Sequence, residues 1–298
     1  MAAVLRRSIL YSQNFLTSRR LVRRLLDRSS IGPDDLVLEI GPGRGMITRE
    51  LAPRCRELWA IEKDPFLARS LRQRFADCAN VRIREADFLA APLPRERYKV
   101  FASIPFNRTA AILQRLTTPH GADREQGTGA APDDAYLIVQ REAAERCTGL
   151  PADSLYSVLL KPWFEPSILH CFRRTDFAPA PNVEAVMLRL HKRGPPLVAA
   201  AGAPAFRDFV THGFTAWQPS LGAAFSGSFP RSRFLQIARD LDIDPDLRPS
   251  QIRFEQWLAL FERLSSAGRI RASGRLTGAQ HRRRRQRVPC TRERRMKE

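Results

Sequence analysis

Three glycines at alternate positions, Gly41, Gly43 and Gly45, follow directly on the apolar run Leu36–Ile40. The pattern reads as strand, tight turn and helix start. Glycine suits such a turn because the chain must adopt φ angles that other residues resist, and because a bare backbone lets a ligand approach closely. Two acidic residues end later strand-like runs, Glu62 after LWAI and Asp87 after VRIREA. In a parallel sheet these loops would converge on one edge, which is where open α/β sheets bind ligands. The dinucleotide fingerprint G-x-G-x-x-G is the nearest alternative, but here a single residue separates the second and third glycines, and a second acid lies downstream. The spacing favours S-adenosylmethionine over NAD. Glu62 is placed for ribose hydroxyls, and Asp87 with Phe88 for an adenine held by one hydrogen bond and stacking.

A second motif, Phe101–Asn107 (FASIPFN), follows a fourth strand-like run, Tyr98–Ile104. It sits where a methyl acceptor would lie. The proline stops the ladder and fixes the turn, leaving the Ser103 oxygen, the backbone carbonyls and the ring of Phe106 beside them. Those groups suit methylation of an exocyclic amine on a base. The amine's lone pair is delocalised into the ring; acceptors on its N–H groups localise the pair, and an aromatic face holds the extruded base. No strong general base is required, because positioning for in-line transfer does most of the work.

The elements that must hold these residues follow from periodicity. Helical spacing over Thr17–Asp27 puts Leu21, Val22, Leu25 and Leu26 on one face and four arginines on the other, with Thr17 or Ser18 as N-cap. A βα alternation then predicts strands at Leu36–Ile40, Glu57–Glu62, Val81–Glu85, Tyr98–Ile104 and Ala135–Gln140, with helices between. Trp163–Phe172 and the alternating Val183–His191 would close the sheet as an antiparallel pair. The stretch Pro119–Asp134 is rich in Gly, Ala, Asp and Pro and reads as an exposed flexible insertion. The fold class is therefore α/β, a Rossmann-like domain over residues 1–193. The Gly- and Pro-rich stretch from Gly194 marks a boundary to a small all-α module over 194–265, followed by a disordered basic tail, 266–298.

The chain of 298 residues carries 50 Lys and Arg against 31 Asp and Glu, a formal charge of +19, which points to a polyanion as partner. The last 31 residues hold eleven arginines and Lys297 against Glu293 and Glu298, a net +10. Arginine's planar fork suits phosphate oxygens and base stacking. No run reaches the roughly 18 apolar residues of a membrane span, and the N-terminus lacks a signal peptide's apolar region, so a cytoplasmic protein is expected. The five cysteines and five histidines are dispersed, which supports no disulfide framework, metal site or hydrolase triad.

Taken in order, SQNFL, EIGPGRG, IEKD, EADF, SIPF and FAPAPNVEAVMLRL resemble the Erm 23S rRNA adenine-N6 methyltransferases of macrolide resistance, within the rRNA adenine dimethylase superfamily. The resemblance runs from about Tyr11 to Phe261, where RPSQIRFEQWLALF is similar to the family's C-terminal helical signature. It implies a class I S-adenosylmethionine-dependent methyltransferase domain and a helical RNA-binding domain. Together they would act as a monomer, without a metal, on one adenosine of 23S rRNA at the macrolide site. It further implies that Gln13 and Asn14 close over the cofactor, with Leu16 and Lys63 among its contacts. Gly41, Gly43 and Gly45 would form the methionine-side turn. Glu62 would take the ribose, and Asp87 and Phe88 the adenine. Ser103, Ile104, Pro105 and Phe106 would form the acceptor site, Ser103 also touching the cofactor, with Phe177, Pro179 and Pro181 shaping the loop opposite. The family usually has Asn where this chain has Ser103, which offers an acceptor oxygen of shorter reach. The 16S rRNA dimethyladenosine transferases share nearly all these motifs, and a non-catalytic rRNA-binding factor on the same fold is a third alternative. QNFL rather than QHFL, IPF rather than LPY and the arginine-rich tail favour the first.

Overall fold

The computed structural model describes residues 14–117, 131–216 and 218–266. Within them the elements run β1 (Phe15–Leu16), α1 (Arg19–Leu26), β2 (Leu36–Ile40), α2 (Met46–Leu51), β3 (Glu57–Glu62), α3 (Pro65–Arg74), β4 (Val81–Glu85), β5 (Lys99–Ser103) and α4 (Thr109–Thr117). They continue with β6 (Asp134–Gln140), α5 (Arg141–Thr148), α6 (Leu155–Leu160), β7 (Phe164–Cys171), β8 (Phe177–Ala178) and β9 (Ala185–Lys192).

Seven of these strands form one sheet in the order β4-β3-β2-β5-β6-β9-β7. The first five are parallel; β9 lies antiparallel to β6, and β7 antiparallel to β9. The α/β class and the closing antiparallel pair are thus as the periodicity predicts. Strand β2 is buried on both faces, as a central strand of a parallel sheet must be. Leu36, Leu38 and Ile40 join one apolar layer with Ile112, Leu113 and Leu116 of α4. Val37 joins the opposite layer, with Leu21, Val22, Leu25 and Leu26 of α1. Because β2 pairs with β3 on one side and β5 on the other, the connections leaving β2 and β5 diverge. A crevice opens at that switch point.

Beyond the sheet, α7 (Ala203–Thr215), α8 (Leu221–Phe225), α9 (Arg231–Asp240) and α10 (Phe254–Ser266) pack around Phe209, Phe225 and Trp257. Gly213 allows this packing, since a Cβ there would stand 2.4 Å from the Trp257 ring. Helix α6 sits at the seam: Val158 enters the helical core and Leu160 the sheet core. The Asp153 carboxylate pins the seam by accepting from Lys161 Nζ at 2.6 Å, Ser157 Oγ at 2.8 Å and the Phe254 N–H at 2.9 Å.

One sequence expectation changes. Pro119–Asp134 is not an insertion throughout. Residues 118–130 lie outside the described set, but Ala131 packs on the sheet core and Asp134 opens β6, 3 % exposed. Burial would raise the Asp134 pKa, yet Arg189 and Ser30, donating at 2.8 and 2.7 Å, hold it below the usual carboxylate range. These partners come from β9 and from the loop after α1, which local composition does not reveal. Helix α6 is capped at its start by Ser154, whose side chain accepts from the Ser157 N–H. Gln13 and the tail beyond 266 also fall outside the described residues. Among those described, no helix is long and apolar enough to cross a membrane.

Candidate active site

The crevice is a cleft of about 480 Å³ at the C-terminal ends of β2, β3 and β5. Its lining includes Asn14, Leu16, Gly41, Glu62, Lys63, Asp87, Phe88, Ser103, Ile104, Pro105 and Phe106, so residues spread over some 90 positions of sequence meet in one place.

Glu62, 2 % exposed, ends β3 and braces the glycine turn. Its Oε2 accepts from the Gly43 N–H at 3.0 Å and its Oε1 from the Asp64 N–H at 2.9 Å. Asp64 in turn caps α3, accepting from the Phe66 and Leu67 N–H groups at 2.8 and 3.3 Å. One hydrogen-bonded chain therefore joins the turn after β2 to the helix after β3. Burial raises the Glu62 pKa, against hydrogen bonds from the backbone of Asp64, Gly43 and Lys63 that favour the charged form. Asp87, at the mouth, is held below its ordinary range chiefly by Lys63, whose Nζ donates to Oδ2 at 2.7 Å; Oδ1 accepts from the Leu89 N–H at 2.9 Å.

The three glycines share left-handed φ values, +65° at Gly41, +57° at Gly43 and +75° at Gly45, but differ in what surrounds them. Gly41 has open space where a Cβ would be and lines the cleft. Gly43 and Gly45 do not line it, contrary to the sequence expectation. A Cβ on Gly43 would lie 2.6 Å from the Phe15 ring, and one on Gly45 would lie 2.7 Å from Leu71 of α3. They are glycine because Phe15 of β1 and Leu71 of α3 pack against the turn at these two positions.

The FASIPFN segment leaves β5 as expected. Ser103 is its last residue, and a 3-10 turn over Phe106–Arg108 closes when the Arg108 N–H donates to the Pro105 carbonyl at 2.9 Å. Phe106 is half-buried against the α1 side of the sheet, and Ile104 is buried. Phe88 contributes less than a stacking face, because it is 5 % exposed and packed into the sheet core under Arg115.

Several lining residues escape the sequence reading: Phe15, Thr17, Arg44, Met46, Arg108 and Ala178. Phe15, Thr17 and Ala178 meet because β1 pairs antiparallel with β8, Phe15 opposite Ala178 and Leu16 opposite Phe177, and the Thr17 N–H donates to the Asp176 carbonyl at 2.9 Å. The signal was present in the two short motifs, QNFL and FAPAP, but two-residue strands are too short to show a period. This pairing turns Phe177 inward, 4 % exposed, and leaves Ala178 at the cleft. A groove bounded by two carboxylates, a bare-backbone turn and an aromatic beside acceptor oxygens suits an adenosyl ligand on one side and a planar amine-bearing group on the other.

A family model described as ribosomal RNA adenine dimethylase matches residues 5–266. An rRNA adenine N-6-methyltransferase of Saccharopolyspora erythraea is 33% identical over 256 residues, covering 85% of this chain and 64% of that protein. The chain thus spans just under two thirds of that relative's length. A ribosomal RNA small subunit methyltransferase A of Synechococcus is 31% identical over 270 residues, covering 86% of this chain and 94% of that one. The crystal structure of 23S rRNA methyltransferase ErmE superposes with a TM-score of 0.76 at 32% identity, covering 85% of this chain and all of that one.

Proposed function

This chain belongs to the ribosomal RNA adenine dimethylase family, and we propose that it transfers methyl groups from S-adenosylmethionine to the exocyclic N6 of one adenosine in 23S rRNA. The consequence would be resistance to macrolides, lincosamides and streptogramin B. It would act as a cytoplasmic monomer. The observation that carries the reading is the meeting of Glu62, Asp87 and the Ser103–Phe106 motif in one cleft, together with the fold-wide likeness to the 23S rRNA enzyme.

The cleft fits the donor: its volume falls within the ~300–1,000 Å³ of small-molecule sites, and Gly41 leaves its backbone bare there. When bound, S-adenosylmethionine supplies an electrophilic methyl group on sulfonium sulfur. Gly41 would let the methionine end lie against the turn, Asn14 and Leu16 would cover it, and Glu62 would accept from ribose hydroxyls with its remaining lone pairs. Asp87 would accept from the adenine amine, exchanging its bond to Lys63 for that one, with the Phe88 backbone beside it.

At the acceptor, the Ser103 Oγ and the Ile104 carbonyl would accept the two N6–H bonds, localising the nitrogen lone pair and turning it toward the methyl group. The Pro105 carbonyl already accepts within the turn, so it serves shape more than bonding. Phe106 would stack on the extruded base, and water would take the proton the nitrogen sheds after transfer. In this reading residues 1–193 carry the chemistry, and 194–265 with the tail 266–298 grip RNA.

Phe106→Ala tests the assignment. Removing a stacking platform worth about 1–3 kcal/mol and misplacing the base should cut transfer about 100-fold or more, with calorimetric binding of S-adenosylmethionine retained. Unchanged turnover would sink it, and RNA binding by wild type without cofactor binding would favour a non-catalytic factor. The likeness to the small subunit methyltransferase keeps 16S rRNA as the second substrate to assay.

A further inference from the structure

Behind the glycine turn, on the side away from the cleft, α1, α2 and α3 enclose a second depression of about 350 Å³. Four arginines line it: Arg19 from α1, Arg44 from the turn, Arg49 from α2 and Arg74 from α3. Among the described residues, no acidic side chain lines it. The nearby carboxylate, Glu50, is 7 % exposed and already answered twice, by Arg19 Nε and Arg23 Nε at 2.7 Å each. That pairing fixes Arg19 at the rim and leaves a surplus of positive charge.

The other guanidiniums are positioned as well. Arg74 Nη1 donates to the Arg44 carbonyl at 2.5 Å, and the Arg44 guanidinium lies 4.8 Å from the centre of the Phe15 ring. Arg49 is exposed and belongs to no ion pair among those described. Concentrated like charge costs a fold stability and needs a counter-charge. Arginine in place of lysine at all four positions suits the paired oxygens of a phosphate. The depression also shares Arg44 and Met46 with the cleft, so an anion held there sits beside the ligand site.

We propose that this four-arginine depression binds a backbone phosphate of the RNA strand that delivers its adenosine to the cleft. The proposal rests on the rRNA methyltransferase reading and adds to it an RNA-binding point on the sheet domain, separate from the helical module and the tail. An RNA held on both sides of the glycine turn would have its extruded base fixed relative to Phe106.

The test compares Arg49→Glu with Arg95→Glu in the full chain. The second variant makes the same charge change in the exposed loop before β5, at the strand ends opposite the glycine turn. Binding of protein-free 23S rRNA is measured across a salt series, with thermal midpoint and calorimetric S-adenosylmethionine affinity alongside. Arg49→Glu should weaken RNA binding about 10-fold or more and flatten the slope of log K against log salt by roughly 0.7–0.9 for each phosphate no longer neutralised. Arg49→Lys should keep most of the affinity, Arg95→Glu should change it under about 3-fold, and cofactor affinity should hold in all three. Equal effects of the two charge reversals, or none from Arg49→Glu, would overturn the proposal. So would loss of RNA affinity to inorganic phosphate that wild type and Arg49→Glu show alike at matched ionic strength, which would assign phosphate competition elsewhere. If wild type itself neither binds nor methylates rRNA, the functional reading fails instead, and the two failures are told apart by that control.

Discussion

At the scale of single residues, the informative side chains are the buried acids. Glu39, one position before Ile40 of β2, is 1 % exposed, and burial pushes its carboxyl up to about 8. The native state therefore keeps a proton between about pH 4.5 and 8 that the unfolded chain gives up. In that window the native state binds more protons, so Glu39 makes stability fall as pH rises; below and above it the contribution is flat. Glu39→Gln removes the titration while keeping the shape. It should stabilise the protein at pH 7 by about 3 kcal/mol and leave stability at pH 4 nearly unchanged, as thermal melts across pH would show. A variant whose melting point moved equally at both pH values would contradict that. Glu62 behaves differently because both its oxygens are engaged by backbone N–H groups, which makes it a brace for the turn as well as the proposed ribose ligand. Sequence spacing placed Glu62 and Asp87 at one edge of the sheet with the glycine turn, and both line the cleft with Gly41. It could not show that Lys63 would occupy Asp87, since that pair spans β3 and β4.

Among the elements, the glycine turn is a junction of three packing surfaces, and its glycines are not interchangeable. Gly41→Ala meets only the left-handed φ cost, about 1 kcal/mol, and intrudes into the cleft. Gly43→Ala adds a collision with Phe15 at 2.6 Å, so the Phe15 ring, β1 or the turn must move. Gly43→Ala should therefore lower the melting temperature more than Gly41→Ala, by a further 1–3 kcal/mol, whereas Gly41→Ala should depress cofactor affinity without comparable unfolding. Equal melting temperatures would show that Phe15 yields freely. The parallel strands were legible because β2 and β6 are buried aliphatic runs and β4 alternates half-buried Val81 and Ile83 with charged residues at an edge of the sheet, and β2, β3 and β4 fall at the expected residues. The β1–β8 clip was not legible: two residues carry no periodicity, and their partners lie more than 150 positions away. The start of β6 escaped for a related reason. Asp133 and Asp134 read as loop residues until Arg97, Arg189 and Ser30 are brought to them by tertiary structure.

Over the whole molecule, a sheet whose switch-point crevice carries the proposed chemistry is joined to a helical module through α6 and Asp153. The chain's charge of +19 is concentrated in the last 31 residues and on α1–α3. If the tail beyond residue 266 touches phosphates without reading bases, truncating it should weaken rRNA binding irrespective of sequence. It should also flatten the salt dependence by roughly 0.7–0.9 log unit for each phosphate the tail had neutralised, leaving the methylated adenosine the same; a changed target would assign the tail a part in selection. Methylation of a single 23S adenosine is decided by mass mapping of 23S and 16S rRNA from a susceptible host with and without this gene, beside a macrolide growth test. A 23S enzyme should leave a new methyl mass at one adenosine of the peptidyl-transferase loop, together with resistance. Methylation of adjacent adenosines near the 16S 3′ end, or no new mass in either RNA, would rule that activity out.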